Sequence, residues 1–188
     1  MHSAIVKEIL NRKFEKTEGG DLYLPGSKVY VGGVFEHWVN DGEHEADGNI
    51  VVNEGLDHIL DVALSAGAQS ANWYIGIYKN VYNATATTTA ATISSASGEV
   101  VVTTEVSETL RQAWTDAGVS SRTVTNSASP ATYTATASIA VNGAFLINSN
   151  TIGGTSGKLM ASASFAATRN LSATDVLNVT YTFTIADA

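Results

Sequence analysis

Two histidines and five carboxylates stand within a dozen residues: Glu36, His37, Asp41, Glu43, His44, Glu45 and Asp47. Imidazole nitrogens and carboxylate oxygens ligate divalent cations, so a weak calcium or magnesium site is one reading of this cluster. The spacing favours a plainer one. Asp41, Glu43, Glu45 and Asp47 alternate, but the glycine and the closing bidentate glutamate of a twelve-residue calcium loop are out of place. Residues 40–49 therefore read as a solvated acidic loop. Metal-dependent hydrolysis through His37 and His44 is the remaining enzymatic reading.

Other reactive types lack the company that chemistry needs. His58 follows Asp57 and precedes Asp61, yet no serine sits on a glycine-flanked elbow that would make it the base of a triad. It reads as a helix-surface or interface residue. Gly32-Gly33 and Gly153-Gly154 are not followed by the Lys-Ser/Thr or the helix of a phosphate loop, and read as turns. Trp38, Trp73 and Trp114, with Tyr23, Tyr30, Tyr74, Tyr78 and Tyr82, read as strand and core aromatics; a sugar-binding platform is the alternative. No catalytic residue, cofactor or metal is assigned.

The 188 residues contain no cysteine, which removes disulfides, thiol nucleophiles and thiolate metal sites. Net charge is −8, and residues 1–61 hold 12 of the 18 acids against 5 of the 10 bases. That excess disfavours a nucleic-acid partner and keeps the chain soluble. The opening Met1-His-Ser-Ala-Ile-Val-Lys-Glu-Ile-Leu has no basic leader, and no run reaches the roughly 20 apolar residues of a spanning helix. Assembly in a cytoplasm is the expectation, with no membrane partner.

The elements follow from periodicity. Residues 3–16 predict an amphipathic helix, with Ser3 as cap and Ile5, Val6, Ile9, Leu10 and Phe14 on one face. Residues 22–39 predict two strands around Pro25-Gly26 and Gly32-Gly33. Residues 53–66 predict the clearest helix: Asn53 caps it, Leu56, Ile59, Leu60, Ala63 and Leu64 form its apolar face, and Gly67 stops it. Residues 72–79 predict a central strand with both faces covered. Residues 83–97 are low in complexity and predict an exposed loop. Further strands are expected at 99–104, 121–125, 131–141, 145–148, 158–165 and 176–185, with Asn142-Gly143 as a hairpin turn. The run Leu177-Asn-Val-Thr-Tyr-Thr-Phe-Thr-Ile185 alternates apolar and hydroxyl residues strictly, as a half-buried strand does. The expected fold is mainly β: an antiparallel β-sandwich or jelly roll (residues 21–188) with one or two short flanking helices, preceded by an N-terminal helix or arm (residues 1–20).

The stretch Val51-Val-Asn-Glu-Gly-Leu-Asp-His-Ile-Leu-Asp-Val-Ala-Leu, followed by Asn72-Trp-Tyr-Ile-Gly-Ile-Tyr, resembles head-decoration (cement) proteins of tailed bacteriophages. The Thr/Ala-rich strands and the closing run 177–185 keep the same order across residues 50–185. The resemblance implies a jelly-roll subunit on the outer capsid surface, bridging major capsid proteins, with no catalytic residue. A homodimer or homotrimer is the expected assembly. Ile5, Ile9 and Leu10 of the arm, and Asp41, Glu43, His44 and Asp47 of the acidic loop, are the expected contact residues. A tail or head-fibre subunit that binds a host glycan is the alternative.

Overall fold

The computed structural model describes residues 15–16, 22–23 and 29–187. The closing alternation is realised in the strand β12 (Val176–Asp187), where Leu177, Val179 and Tyr181 are buried. In chain order the other elements are β1 (Glu15–Lys16), β2 (Leu22–Tyr23), β3 (Val29–Val39), β4 (Glu45–Gly48), β5 (Ile50–Val51), α1 (Asn53–Leu64), β6 (Tyr74–Tyr78), α2 (Ala90–Ser97), β7 (Gln112–Ala113), β8 (Thr123–Thr125), β9 (Ala131–Thr134), β10 (Ile139–Ile147) and β11 (Leu159–Leu171). The β1–β2 ladder belongs to a small unit, Met1–Tyr30 with Ile185–Ala188; Val31–Thr184 form the other.

Two antiparallel sheets make the expected sandwich. One has the order β5-β11-β10-β6-β7, the other β4-β3-β12-β8, with β9 also paired to β12. Their facing sides share one core, in which Phe35, Ile75, Leu146, Leu177, Val179 and Tyr181 are buried. The Tyr133 hydroxyl crosses between the sheets and donates to the Ile75 carbonyl at 2.6 Å. A second cluster covers the outer face of the first sheet, where Tyr78, Phe145, Ile147 and Leu159 meet Val52 and the α2 residues Ala90 and Ile93. The central strand β6 thus has both faces covered, as its composition predicts, because Ile75 and Ile77 face one cluster and Tyr78 the other.

Several local expectations are corrected. Gly32-Gly33 is not a turn but lies inside β3, where a side chain on Gly33 would collide with the Thr182 carbonyl and the Tyr181 ring. Gly153-Gly154 is a turn, closed by the Gly154 N–H to the Thr151 carbonyl at 3.0 Å. Asn142-Gly143 is not a hairpin turn either: it lies within β10, at a register shift against β11. That bulge changes the phase of the strand. Val141 faces the inter-sheet core, and after the shift Ala144 and Leu146 take that side while Phe145 and Ile147 face outward. The expected strand 131–141 is divided between β9 and β10, and residues 99–104 make isolated bridges rather than a strand.

The low-complexity stretch holds α2 instead of an exposed loop. The Thr89 N–H donates to Thr92 Oγ1 at 3.2 Å, the Ala90 N–H donates to Glu54 Oε2 at 2.8 Å, and Gly98 ends the helix in the left-handed region. Ile93, fully buried, supplies the anchor that a Thr/Ser/Ala count hides. Helix α1 begins after Val52, so Asn53 is its first residue rather than its cap, and Ala66 rather than Gly67 takes the positive φ beyond its end. Glu15 and Lys16, expected at the end of a helix, pair with Tyr23 and Leu22 in a ladder. Strand pairing takes the main-chain groups that a helix would bond within itself. The rest of the expected helix, including Ile5, Ile9 and Leu10, lies outside the described residues.

Candidate functional site

The acidic segment is half of a hairpin rather than a free loop. Glu45 to Gly48 pair with Val34 to His37, so β4 carries its charges back across β3. Alternation along β3 turns His37 inward. It is 0% exposed and stacks on Phe165 with ring centroids 3.6 Å apart. Arg169 Nε donates to His37 Nδ1 at 2.8 Å, so Nδ1 is the acceptor nitrogen and Nε2 donates to Asp47 Oδ2, also at 2.8 Å. Asp47 Oδ1 accepts the Ala166 N–H at 3.0 Å, and Arg169 reaches Glu45 at 3.0 Å. Burial pushes the His37 pKa below its ordinary value; the Asp47 hydrogen bond opposes that shift and the Arg169 charge reinforces it. With both ring nitrogens engaged, His37 offers no lone pair to a cation. Among the described residues no three metal-ligating groups converge.

His44 lies outside this network. Its Nδ1 is 2.8 Å from Glu36 Oε1, and its ring stacks on Trp38 at 4.0 Å on the exposed side of the hairpin. Asp41 and Glu43 stand exposed at the tip. Of the expected contact residues, Asp41, Glu43 and His44 are therefore presented to solvent together, whereas Asp47 is held inside the hairpin by His37 and Ala166.

His58 has a serine partner that sequence spacing does not reveal. Asn148 Nδ2 donates to Ser70 Oγ at 2.8 Å, and Ser70 Oγ is hydrogen-bonded to His58 Nε2 at 3.2 Å. Among the described residues no carboxylate holds Nδ1 of His58. The chain Asn148–Ser70–His58 ties residues 65–73 to α1 and to the residue that follows β10, and so positions Trp73, whose ring meets His58 edge-on at 5.5 Å.

Trp73 and Trp114 are brought together at one end of the sandwich. The Trp114 N–H donates to the Trp73 carbonyl at 2.8 Å, and Trp114 Nε1 donates to the Tyr181 carbonyl at 3.0 Å. Between the two indoles opens a cleft of about 420 Å³. Trp38 is not part of it, so the three tryptophans do not form one platform.

Of two further features, the first carries no signal in the sequence, and the second is an apolar face that the sequence shows but whose exposure it does not. Arg111 is buried beside Phe145 and forms a forked pair with Glu99, Nε to Oε1 at 2.7 Å and Nη2 to Oε2 at 2.9 Å. Its remaining donors reach the Ser149 carbonyl and Ser94 Oγ, tying α2 to the turn after β10. On α1 the apolar face is only partly used. Gly55 lies against Met160, but Leu60 and Leu64, one turn apart, are 56% and 82% exposed. Compared with known families and curated proteins, the chain matches no family model and no curated sequence.

Proposed function

We propose that this chain is a virion structural protein: a decoration (cement) subunit that binds the outer surface of a tailed-phage head and stabilises contacts between major capsid proteins. The observation that carries the reading is the Leu60/Leu64 ridge. It lies on α1, the segment whose sequence carries the resemblance to decoration proteins, and it exposes leucines that the sandwich leaves uncovered. A surface subunit gains affinity by placing such patches against several neighbours at once, so that modest contacts add through multivalency. The exposed acids Asp41 and Glu43 provide a second, charged contact, and the arm residues Ile5, Ile9 and Leu10 a third. Its partners are the major capsid protein and further copies of itself, and its place is the capsid exterior.

The test is co-sedimentation of the purified protein with undecorated capsids of the source phage across a salt series. Saturable binding at a fixed ratio to the major capsid protein supports the role, and the ratio reports the symmetry site. Binding that weakens with salt assigns weight to the acidic tip, since screening acts on exposed charges. Absence of binding at every salt concentration, or identical binding after removal of residues 1–16 and loss of the Leu60/Leu64 ridge together, overturns it.

A further inference from the structure

The cleft between Trp73 and Trp114 has a composition that a capsid contact does not require. Its floor is apolar, formed by Leu146, Met160 and Phe183. Its rim is polar: Gln69, Asn72, Thr115 and Asp116 line it and are exposed. The Gln69, Asn72 and Thr115 side chains make no hydrogen bond among the described residues, and Asp116 engages only Oδ1, which accepts the Gly118 N–H at 2.7 Å. About 420 Å³ falls in the range of small-molecule sites. The walls are pre-set. Trp114 is held by its indole N–H and its main chain, and Trp73 by the His58 edge, so little freedom is lost when a ligand enters.

We propose that this cleft binds a neutral saccharide of one or two pyranose rings. The C–H face of a pyranose is flat, apolar and slightly positive, and suits the negative face of an indole. Its rim carries vicinal hydroxyls. The amides of Gln69 and Asn72 and the free oxygen of Asp116 can meet these as paired donors and acceptors. Charge excludes the nearest rivals. Among the described residues of the lining Asp116 is the only charged one, and no lysine, arginine or histidine among them stands there to receive a phosphate or a sugar acid. One carboxylate is too few for a cation site. A purely aliphatic ligand would desolvate the polar rim without replacing its hydrogen bonds to water. The site goes beyond the decoration role and does not depend on it: a surface subunit with this cleft would also attach the particle to glycans.

The experiment is a titration of the full chain, followed by the indole N–H resonances of Trp73 and Trp114. The ligands are glucose, galactose, mannose, N-acetylglucosamine and their β-linked disaccharides, with sialic acid and a proline-rich peptide as controls. The expected result is a saturable shift of both indoles with at least one neutral sugar, with a Kd of about 0.1–10 mM. The double variant Gln69→Ala/Asn72→Ala weakens it roughly tenfold with an unchanged melting temperature. Three results overturn the proposal: no indole shift with any neutral sugar, a shift with sialic acid or the peptide alone, or undiminished sugar binding in the double variant. Capsid co-sedimentation is a separate readout, so loss of either function leaves the other measurable.

Discussion

Glu54, Arg111 and His37 each connect segments far apart in the chain through one polar side chain. Glu54 Oε2 accepts from the N–H groups of Ala90 and Leu159, and so holds the start of α2 and the start of β11 to α1. Arg111 is costlier to bury, and its fork on Glu99 is what makes the burial tolerable. Arg111→Ala leaves the Glu99 carboxylate buried without its cation, and should cost about 3–5 kcal/mol, read as a fall in the urea midpoint. Replacing both partners with apolar residues of similar volume, Arg111→Met with Glu99→Leu, should recover much of that loss. His37 gives a dependence on pH. Its pKa is lowered in the folded chain, so the unfolded chain takes up the proton first on acidification. Its contribution is complete above the ordinary histidine value of about 6.5 and is lost as pH falls through the depressed folded value. Melting temperature should therefore drop below about pH 6.5, and His37→Gln should flatten that limb. The charged groups facing the ring are Asp47 and Glu45 from β4 and Arg169 from β11. None of these pairings was legible beforehand. His37 and Arg169 are 132 positions apart, and nothing near Arg111 distinguishes it from a surface arginine.

At the scale of elements, periodicity was legible and punctuation was not. The strict alternation of β12 and the aromatic run of β6 predicted their burial because each strand keeps one phase throughout. Strand β10 changes phase at Asn142-Gly143, and a dipeptide that favours positive φ in a hairpin here serves a bulge instead. The glycine is needed because Tyr78 and the Ala163 carbonyl occupy the space where a Cβ would stand. Gly143→Ala should destabilise by about 1–3 kcal/mol, since the obstruction includes main chain that cannot rotate away; a shifted thermal midpoint with unchanged circular dichroism would show it. Helix α2 was illegible for another reason. Its order comes from Glu54, Arg111 and the cover over Ile93, all tertiary, while its own composition has little tendency to fold.

At the largest scale, the unit Val31–Thr184 is a sandwich with one outer face covered by α2 and a leucine ridge left open on α1. Leu60→Asp with Leu64→Asp should leave the melting temperature within about 0.5 kcal/mol equivalent of the parent, because both side chains already face solvent. If the protein is the decoration subunit proposed above, the same variant should weaken capsid binding in the sedimentation assay; full retention would remove the ridge from the contact. The arrangement of strand lengths has a further consequence. The strands of nine or more residues, β3, β10, β11 and β12, occupy the interior of the sheet orders, and the borders are β5, β7, β4 and β8, of two to four residues, so that β5 pairs only Ala161 and Ser162 of the thirteen-residue β11. The border strands are too short to template another copy, and beyond Ser162 the edge of β11 is blunted by side chains of β4, with Asp47 Oδ1 taking the Ala166 N–H and Glu45 pairing with Arg169. Copies crowded side by side can therefore be dense without templating cross-β fibres, and the protein should remain dispersed when concentrated far beyond what its many valines and threonines would suggest.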